Sequence, residues 1–120
     1  MVTRDDPRRF LPLKPDALYV LLVVAREPCH GYGIIRDVEE RSGGEVRLQT
    51  GALYRLLKRL LAEGLIEEVV PRGTDPADER RRYYRATRLG GAVLAAEVER
   101  MERLVRASRA VAAGRRPRLA

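Results

Sequence analysis

Between Asp16 and Pro28 the chain carries a helix-forming segment, Ala-Leu-Tyr-Val-Leu-Leu-Val-Val-Ala-Arg-Glu, that has no polar face. At 100° per residue Leu18, Leu21, Leu22 and Ala25 cover one side, while Val20, Val23 and Val24 cover the other. A helix that is apolar on both sides has to be covered on both sides. A chain of 120 residues has only one modest core to offer. The second cover is therefore expected from another copy of the same chain. The run Ala17 to Ala25 falls far short of the ~20 apolar residues that span a bilayer, so no membrane association is expected.

The rest of the chain divides around that helix. Asp16 suits its N-cap and Pro28 ends it. Gly31 to Arg41 reads as a second helix, with Ile34, Ile35 and Val38 inward and Arg36, Glu39 and Glu40 outward; Ser42-Gly43-Gly44 stops it. Thr50 suits the N-cap of a third helix whose inward set, Leu53, Leu56, Leu57, Leu60 and Leu61, keeps helical spacing until Gly64. Leu65 to Val70 and Arg82 to Ala86 read as strands of a hairpin, separated by the turn-rich stretch Pro71 to Glu79. Thr87 suits the cap of a long last helix. The expected division is a flexible N-terminal arm over 1–15, a winged helix-turn-helix over 16–87, a C-terminal dimerisation helix over 88–113 and a disordered tail over 114–120. The fold class is mainly α with a small β-hairpin.

Three short helices and a hairpin place the third helix where a winged helix-turn-helix inserts into the DNA major groove. Opposite the leucines lie Gly51, Arg55, Lys58 and Ala62, flanked by Tyr54 and Arg59. Arg55 and Lys58 suit guanine edges or phosphates, and the Tyr54 hydroxyl suits a phosphate oxygen. The helix start at Thr50 and Gly51 offers backbone N–H groups to the same kind of oxygen. Arg80, Arg81 and Arg82, where the hairpin returns, suit the DNA backbone. Taken alone, such a helix is also an ordinary amphipathic one facing water, and such an arginine run a solvated face beside Asp75, Asp78 and Glu79. The net charge of +7 fits a polyanionic partner, although all but Lys14 and Lys58 of the 24 basic residues are arginine, a skew that base composition also produces. Double-stranded DNA is the expected partner.

On the last helix Leu94, Val98, Met101, Val105, Ser108 and Ala112 alternate spacings of four and three, and Leu104 and Val111 widen the stripe. Together with the outer face of the first helix this predicts a symmetric homodimer. Enzyme chemistry finds no support: there are no paired carboxylates near a nucleophile and no phosphate-binding glycine motif. One Cys and one His cannot complete a metal site, so no metal or other cofactor is expected. Cys29 and His30, as sequence neighbours, diverge rather than pair; His30 is expected to cap the second helix or to bond backbone. The lone thiol leaves an intersubunit redox bridge as an alternative. The charged start Met1 to Pro7 lacks the apolar stretch of a secretion signal, and the expected location is the cytoplasm.

Several short motifs then fall in one order: His30-Gly31-Tyr32, Gly51-Ala52-Leu53-Tyr54-Arg55-Leu56-Leu57-Lys58-Arg59-Leu60, Glu63-Gly64-Leu65-Ile66, Arg81-Arg82-Tyr83-Tyr84 and Thr87-Arg88-Leu89-Gly90. In combination, over about Leu18 to Leu94, they resemble the PadR family of transcriptional regulators, in its branch with a single short C-terminal helix. The resemblance implies a winged-helix repressor, dimeric through that helix, often controlling neighbouring detoxification, efflux or phenolic-stress genes. Two positions depart from the family pattern: Arg55 stands where proline is frequent, and Leu61 where an acid is frequent. The first adds a DNA-facing cation and the second broadens the packed face, so operator sequence is not expected to transfer from relatives. The competing reading is a winged-helix module that binds RNA or a protein and regulates no promoter. A small-molecule effector is a further expected partner. With no Trp and 5% aromatic residues, its stacking partners come chiefly from Phe10, Tyr19 and Tyr32.

Overall fold

The computed structural model describes residues 6–70 and 81–114. The first described segment contains a short 3₁₀ turn, Pro7–Phe10, closed by Asp6, whose carboxylate accepts the Arg8 N–H at 2.9 Å. Helix α1 is Pro15–Arg26 and starts one residue before the expected cap. Lys14 holds the extended cap position, and Pro15 at the first helical position has no N–H to satisfy, so no side-chain cap is needed. Asp16 lies in the first turn, where a carboxylate favours the positive end of the helix dipole. Ala17, Val20, Leu21, Val23 and Val24 are buried, Leu18 and Leu22 only partly covered, and Ala25 exposed.

A two-residue strand β1, Cys29–His30, precedes α2, Gly31–Arg41. Helix α3 is Thr50–Ala62, strands β2 and β3 are Ile66–Val69 and Tyr83–Ala86, and α4 is Arg88–Gly114. The expected hairpin is thus part of a three-stranded antiparallel sheet of order β1-β3-β2. In register, Cys29 faces Tyr84 and His30 faces Tyr83, while Ile66 faces Ala86 and Val69 faces Tyr83. Two residues are too few to show strand alternation, which is why β1 leaves no mark in the sequence.

The core gathers the inner faces of α1, α2 and α3 with Leu65 and Ile66 of the hairpin start, Tyr84 of β3 and Val93 of α4. Leu53, Leu57 and Leu60 are almost wholly out of water. Truncating one such leucine to alanine costs about 2–5 kcal/mol, so this seam fixes how α3 is held. Helix α4 meets the hairpin start at its first turn. Thr87 caps it: the hydroxyl accepts the Gly90 N–H at 3.0 Å and donates to the Gly64 carbonyl at 2.6 Å. Gly90 lies so close that a Cβ there would stand 1.9 Å from the Leu65 carbonyl oxygen.

The flexible arm expected over 1–15 is corrected by its described part. The turn Pro7–Phe10 packs on α4, and Phe10, Leu11 and Leu13 are partly buried against the core. A carboxylate fastens it: Glu97 of α4 is 0% exposed, and its Oε2 accepts the Leu13 N–H at 2.6 Å while Arg100 donates to Oε1. Burial alone would push the Glu97 carboxyl up, but these two donors outweigh it and hold the carboxyl below its ordinary value. Residues 6–14 form a strap that lies against α4 and leads into α1.

Candidate nucleic-acid interface

Helix α3 turns Leu53, Leu56, Leu57 and Leu60 inward, and leaves Thr50, Gly51, Tyr54, Arg55, Lys58 and Arg59 exposed. Arg55 and Lys58 share one solvent face a turn apart, as their spacing requires. The Arg55 guanidinium folds back over the helix start, where a Cβ on Gly51 would meet Nη1 at 3.5 Å. Arg59 points along the helix to Glu63, at 3.3 Å, and is partly neutralised. The N-cap is Gln49, which has the extended backbone of a cap, and not Thr50, which is already helical; no side chain caps this end.

A cleft of about 460 Å³ opens between the helices and the wing, lined by His30, Gly31, Tyr32, Tyr54, Arg81 and Arg82. Gly31 makes it possible, since a Cβ there would lie 2.9 Å from the Tyr54 hydroxyl oxygen. Half-exposed Tyr54 therefore rests its hydroxyl against the start of α2, inside the cleft. His30 is the N-cap of α2, its Nδ1 accepting the Gly33 N–H at 3.2 Å, with its ring edge-on to Tyr83 at 5.4 Å. That fixes a structural role for His30. The exposed Tyr32 ring carries the Arg36 guanidinium at 6.0 Å.

On the wing, Arg82 lies 3.7 Å from Glu68 across the sheet, and Arg85 pairs with Glu67 at 2.7 Å. Burial, with the Glu68 charge behind it, pushes the Tyr84 hydroxyl up, keeping it a neutral group under the wing base. Arg80 lies outside the described residues. The structure therefore brings Tyr54, Arg81 and Arg82 to one cleft and sets Arg55 and Lys58 on the solvent face of α3. It turns Arg59 toward Glu63. Sequence reasoning does not place His30, Gly31 and Tyr32 in this wall, although the absent side chain at Gly31 is the available signal.

The stripe on α4 has two parts. Leu94 packs partly against its own core, and Met101 is partly covered. Val98, Leu104, Val105 and Val111 stand open to solvent, at 38%, 57%, 45% and 71% exposure. Val98, Met101 and Val105 form the bed of a shallow groove of about 360 Å³ edged by Glu102 and Arg106. Cys29 is partly buried; burial and the nearby Asp37 and Glu27 charges push its thiol up, which lowers the thiolate fraction that redox chemistry needs. Among the described residues no cluster of His, Cys, Asp or Glu is arranged to hold a metal ion. No described helix is long and apolar enough to cross a membrane.

A helical triad, a small antiparallel sheet whose central strand packs on the first helix and a basic face on the third define a winged helix-turn-helix protein. Residues 20–96 match the family model described as "Transcriptional regulator PadR-like family", and the chain belongs to that family. It is a DNA-binding transcription regulator and not an enzyme. Solved structures support the fold. A PadR-like transcriptional regulator from Bacillus cereus is 21% identical, with 82% of this chain and 92% of that one covered at a TM-score of 0.67. A PadR family transcription regulator from Clostridium difficile is 24% identical, covering 84% of this chain and 100% of that one at 0.62. A transcriptional regulator from Clostridium thermocellum is 21% identical, covering 91% and 96% at 0.62. No curated protein matches the sequence.

Proposed function

We propose that the protein is a homodimeric, effector-responsive repressor that reads a near-palindromic operator through α3 and grips the backbone through its wing. The observation that carries this reading is the pairing of two surfaces: Arg55 and Lys58 on the solvent face of α3, and Tyr54 in one cleft with Arg81 and Arg82. Arg55 and Lys58 enter the major groove together and contact base edges, while Tyr54 and the wing arginines take phosphates. Thr50 and Gly51 bring the uncapped start of α3 to a further phosphate. Arg80, next in sequence to Arg81, is a further phosphate contact in this reading, and Arg59 is a lesser contact because Glu63 competes for it.

The dimer is built from the open apolar stripe of α4, Val98, Met101, Leu104, Val105 and Val111, with Leu94 at its inner end and the partly covered Leu18 and Leu22 face of α1 beside it. A two-fold pair of α3 helices spaced by about one turn of B-DNA, ~34 Å, matches an inverted repeat. The protein acts in the cytoplasm, on DNA, with a small molecule controlling it.

The test is fluorescence anisotropy at one salt concentration on a selected operator, a scrambled duplex and an RNA hairpin. The operator is expected to win, because the deep, narrow major groove of A-form RNA excludes a helix. Arg55→Ala or Lys58→Ala narrows the gap between operator and scrambled duplex by about 1–3 kcal/mol if the side chain removed makes a bidentate contact to a base. Tyr54→Phe weakens both duplexes alike. Tighter RNA binding, or full discrimination by both alanine variants, would replace this reading with that of an RNA- or protein-binding module.

A further inference from the structure

Helix α2 carries an aromatic ring that the core does not use. Tyr32 is 68% exposed, more than any other described aromatic residue, although it stands in the first turn and forms part of the cleft wall. One exposed ring is ordinary on a protein surface, so the argument rests on its neighbour. Arg36, one turn further along α2, places its guanidinium 6.0 Å from the centre of the ring, within reach of the attraction between a cation and an aromatic face. Arg36 is exposed and makes no salt bridge among the described residues. By contrast Arg59, Arg82 and Arg85 each have a glutamate within 4 Å. The acids of α2 stand toward its other end: Glu39 is taken by Arg47 at 3.2 Å, and Glu40 follows one turn beyond Arg36. Charge along this face runs from cationic beside the cleft to acidic at the helix end, so a polyanion finds its match at the cleft end.

We infer that Arg36 is a further DNA-contact residue, which takes the phosphate next along the strand from the one seated in the cleft, and that Tyr32 is the positioning residue that holds it there. A long arginine side chain loses rotamer freedom when it grips a phosphate, and one already resting on a ring has lost part of that freedom beforehand. The ring shields one face of the guanidinium and leaves its N–H edge for phosphate oxygens. The contact extends the backbone grip from the wing to α2 and carries no base preference. Its place rests on the proposed reading of the cleft as a phosphate seat; its charge is independent of which bases α3 reads.

The test is fluorescence anisotropy on a mixed-sequence duplex and on a selected operator, each across a range of salt. Arg36→Ala is expected to weaken both duplexes alike, by about tenfold. It should also lower the logarithmic salt slope by about 0.9 for each copy of the chain bound. Tyr32→Leu, which keeps an apolar side chain and removes the ring, should reproduce most of that loss, and Tyr32→Phe should behave as the parent. The double variant Tyr32→Leu with Arg36→Ala should bind no worse than Arg36→Ala alone, because the ring acts through the arginine. Both positions are exposed, so thermal unfolding of the free variants should match the parent. The inference is overturned if Arg36→Ala leaves affinity and slope unchanged, or if it alters the preference between operator and mixed sequence. The positioning role fails if Tyr32→Phe is as weak as Tyr32→Leu, or if the two losses add. Arg81→Ala with Arg82→Ala, measured alongside, tests the cleft separately. An unchanged slope there with a lowered slope in Arg36→Ala removes the cleft reading and keeps Arg36 on the backbone; the reverse pattern removes Arg36 alone.

Discussion

Adding one methyl group at Gly90 tests how α4 is seated on the DNA-binding unit. The new Cβ would lie 1.9 Å from the Leu65 carbonyl oxygen and 2.9 Å from its carbonyl carbon, against a floor of 3.0 Å that real Cβ contacts respect. The helix start must retreat by roughly an ångström or the hairpin start must give way. Neither is free to move. The same Leu65 oxygen accepts the Thr87 N–H at 3.0 Å, and Thr87 also donates to Gly64 at 2.6 Å. Overpacking of this kind costs about 1–3 kcal/mol, and each neutral hydrogen bond stretched out of range costs about 1 more. Alanine returns up to about 1 kcal/mol through helix propensity. The net expectation for Gly90→Ala is a destabilisation of about 2–4 kcal/mol. Gly91, the next residue, has nothing within 4 Å of its would-be Cβ, so Gly91→Ala should gain up to about 1 kcal/mol. Urea unfolding at one fixed chain concentration, with unchanged slope, measures both. Equal stability of Gly90→Ala and the parent protein, or equal damage by both variants, would refute the account of this contact.

Three further outcomes follow from the same structure. Glu97→Gln should cost about 1–3 kcal/mol, because a buried charged acceptor is removed. Since the Glu97 carboxyl is held below its ordinary 4.5, its stabilisation is present above that pH and lost as pH falls through the lowered value. The variant should lose that part of acid sensitivity in denaturation curves taken below about pH 5, and an unaltered acid profile would contradict the role given to Glu97. Met101→Glu with Val105→Glu should yield monomers or unfolded chain in sedimentation; a stable monomer of the unmutated protein would sink the dimer. Arg81→Ala with Arg82→Ala should flatten the dependence of operator affinity on salt by about 0.9 in logarithmic slope for each phosphate no longer neutralised, leaving sequence preference intact. A changed preference with the slope untouched would assign the wing a base-reading role.

Helices are legible wherever a period of 3.6 runs long enough, and the leucines of α3 fix both its inner face and the exposure of Arg55 and Lys58. Caps are legible where a side chain does the capping, as at His30 and Thr87, and are misplaced where none does, as at Gln49 and Lys14. Strand β1 is hidden because its existence depends on Tyr83 and Tyr84, more than fifty positions away. The strap is hidden for a similar reason. Three prolines read as a loose arm until a buried carboxylate on α4 supplies the acceptor for Leu13. Glu97 itself sits in a charged stretch of α4 and reads as solvated; only the packing of Val93 and the strap around it reveals otherwise.

In the proposed complex the uncapped start of α3 would tie the stability of the protein to its occupancy. A serine or aspartate in the place of Gln49 would add about 1 kcal/mol to the free protein by satisfying a backbone N–H that now faces water. The chain forgoes that gain, and in the proposed complex a phosphate oxygen takes the place of the missing cap. The operator then completes the helix that reads it, and the bound form is harder to unfold than the free form by the amount that mass action allows. A regulator built this way keeps its reading helix least secure while it searches and most secure once it has arrived.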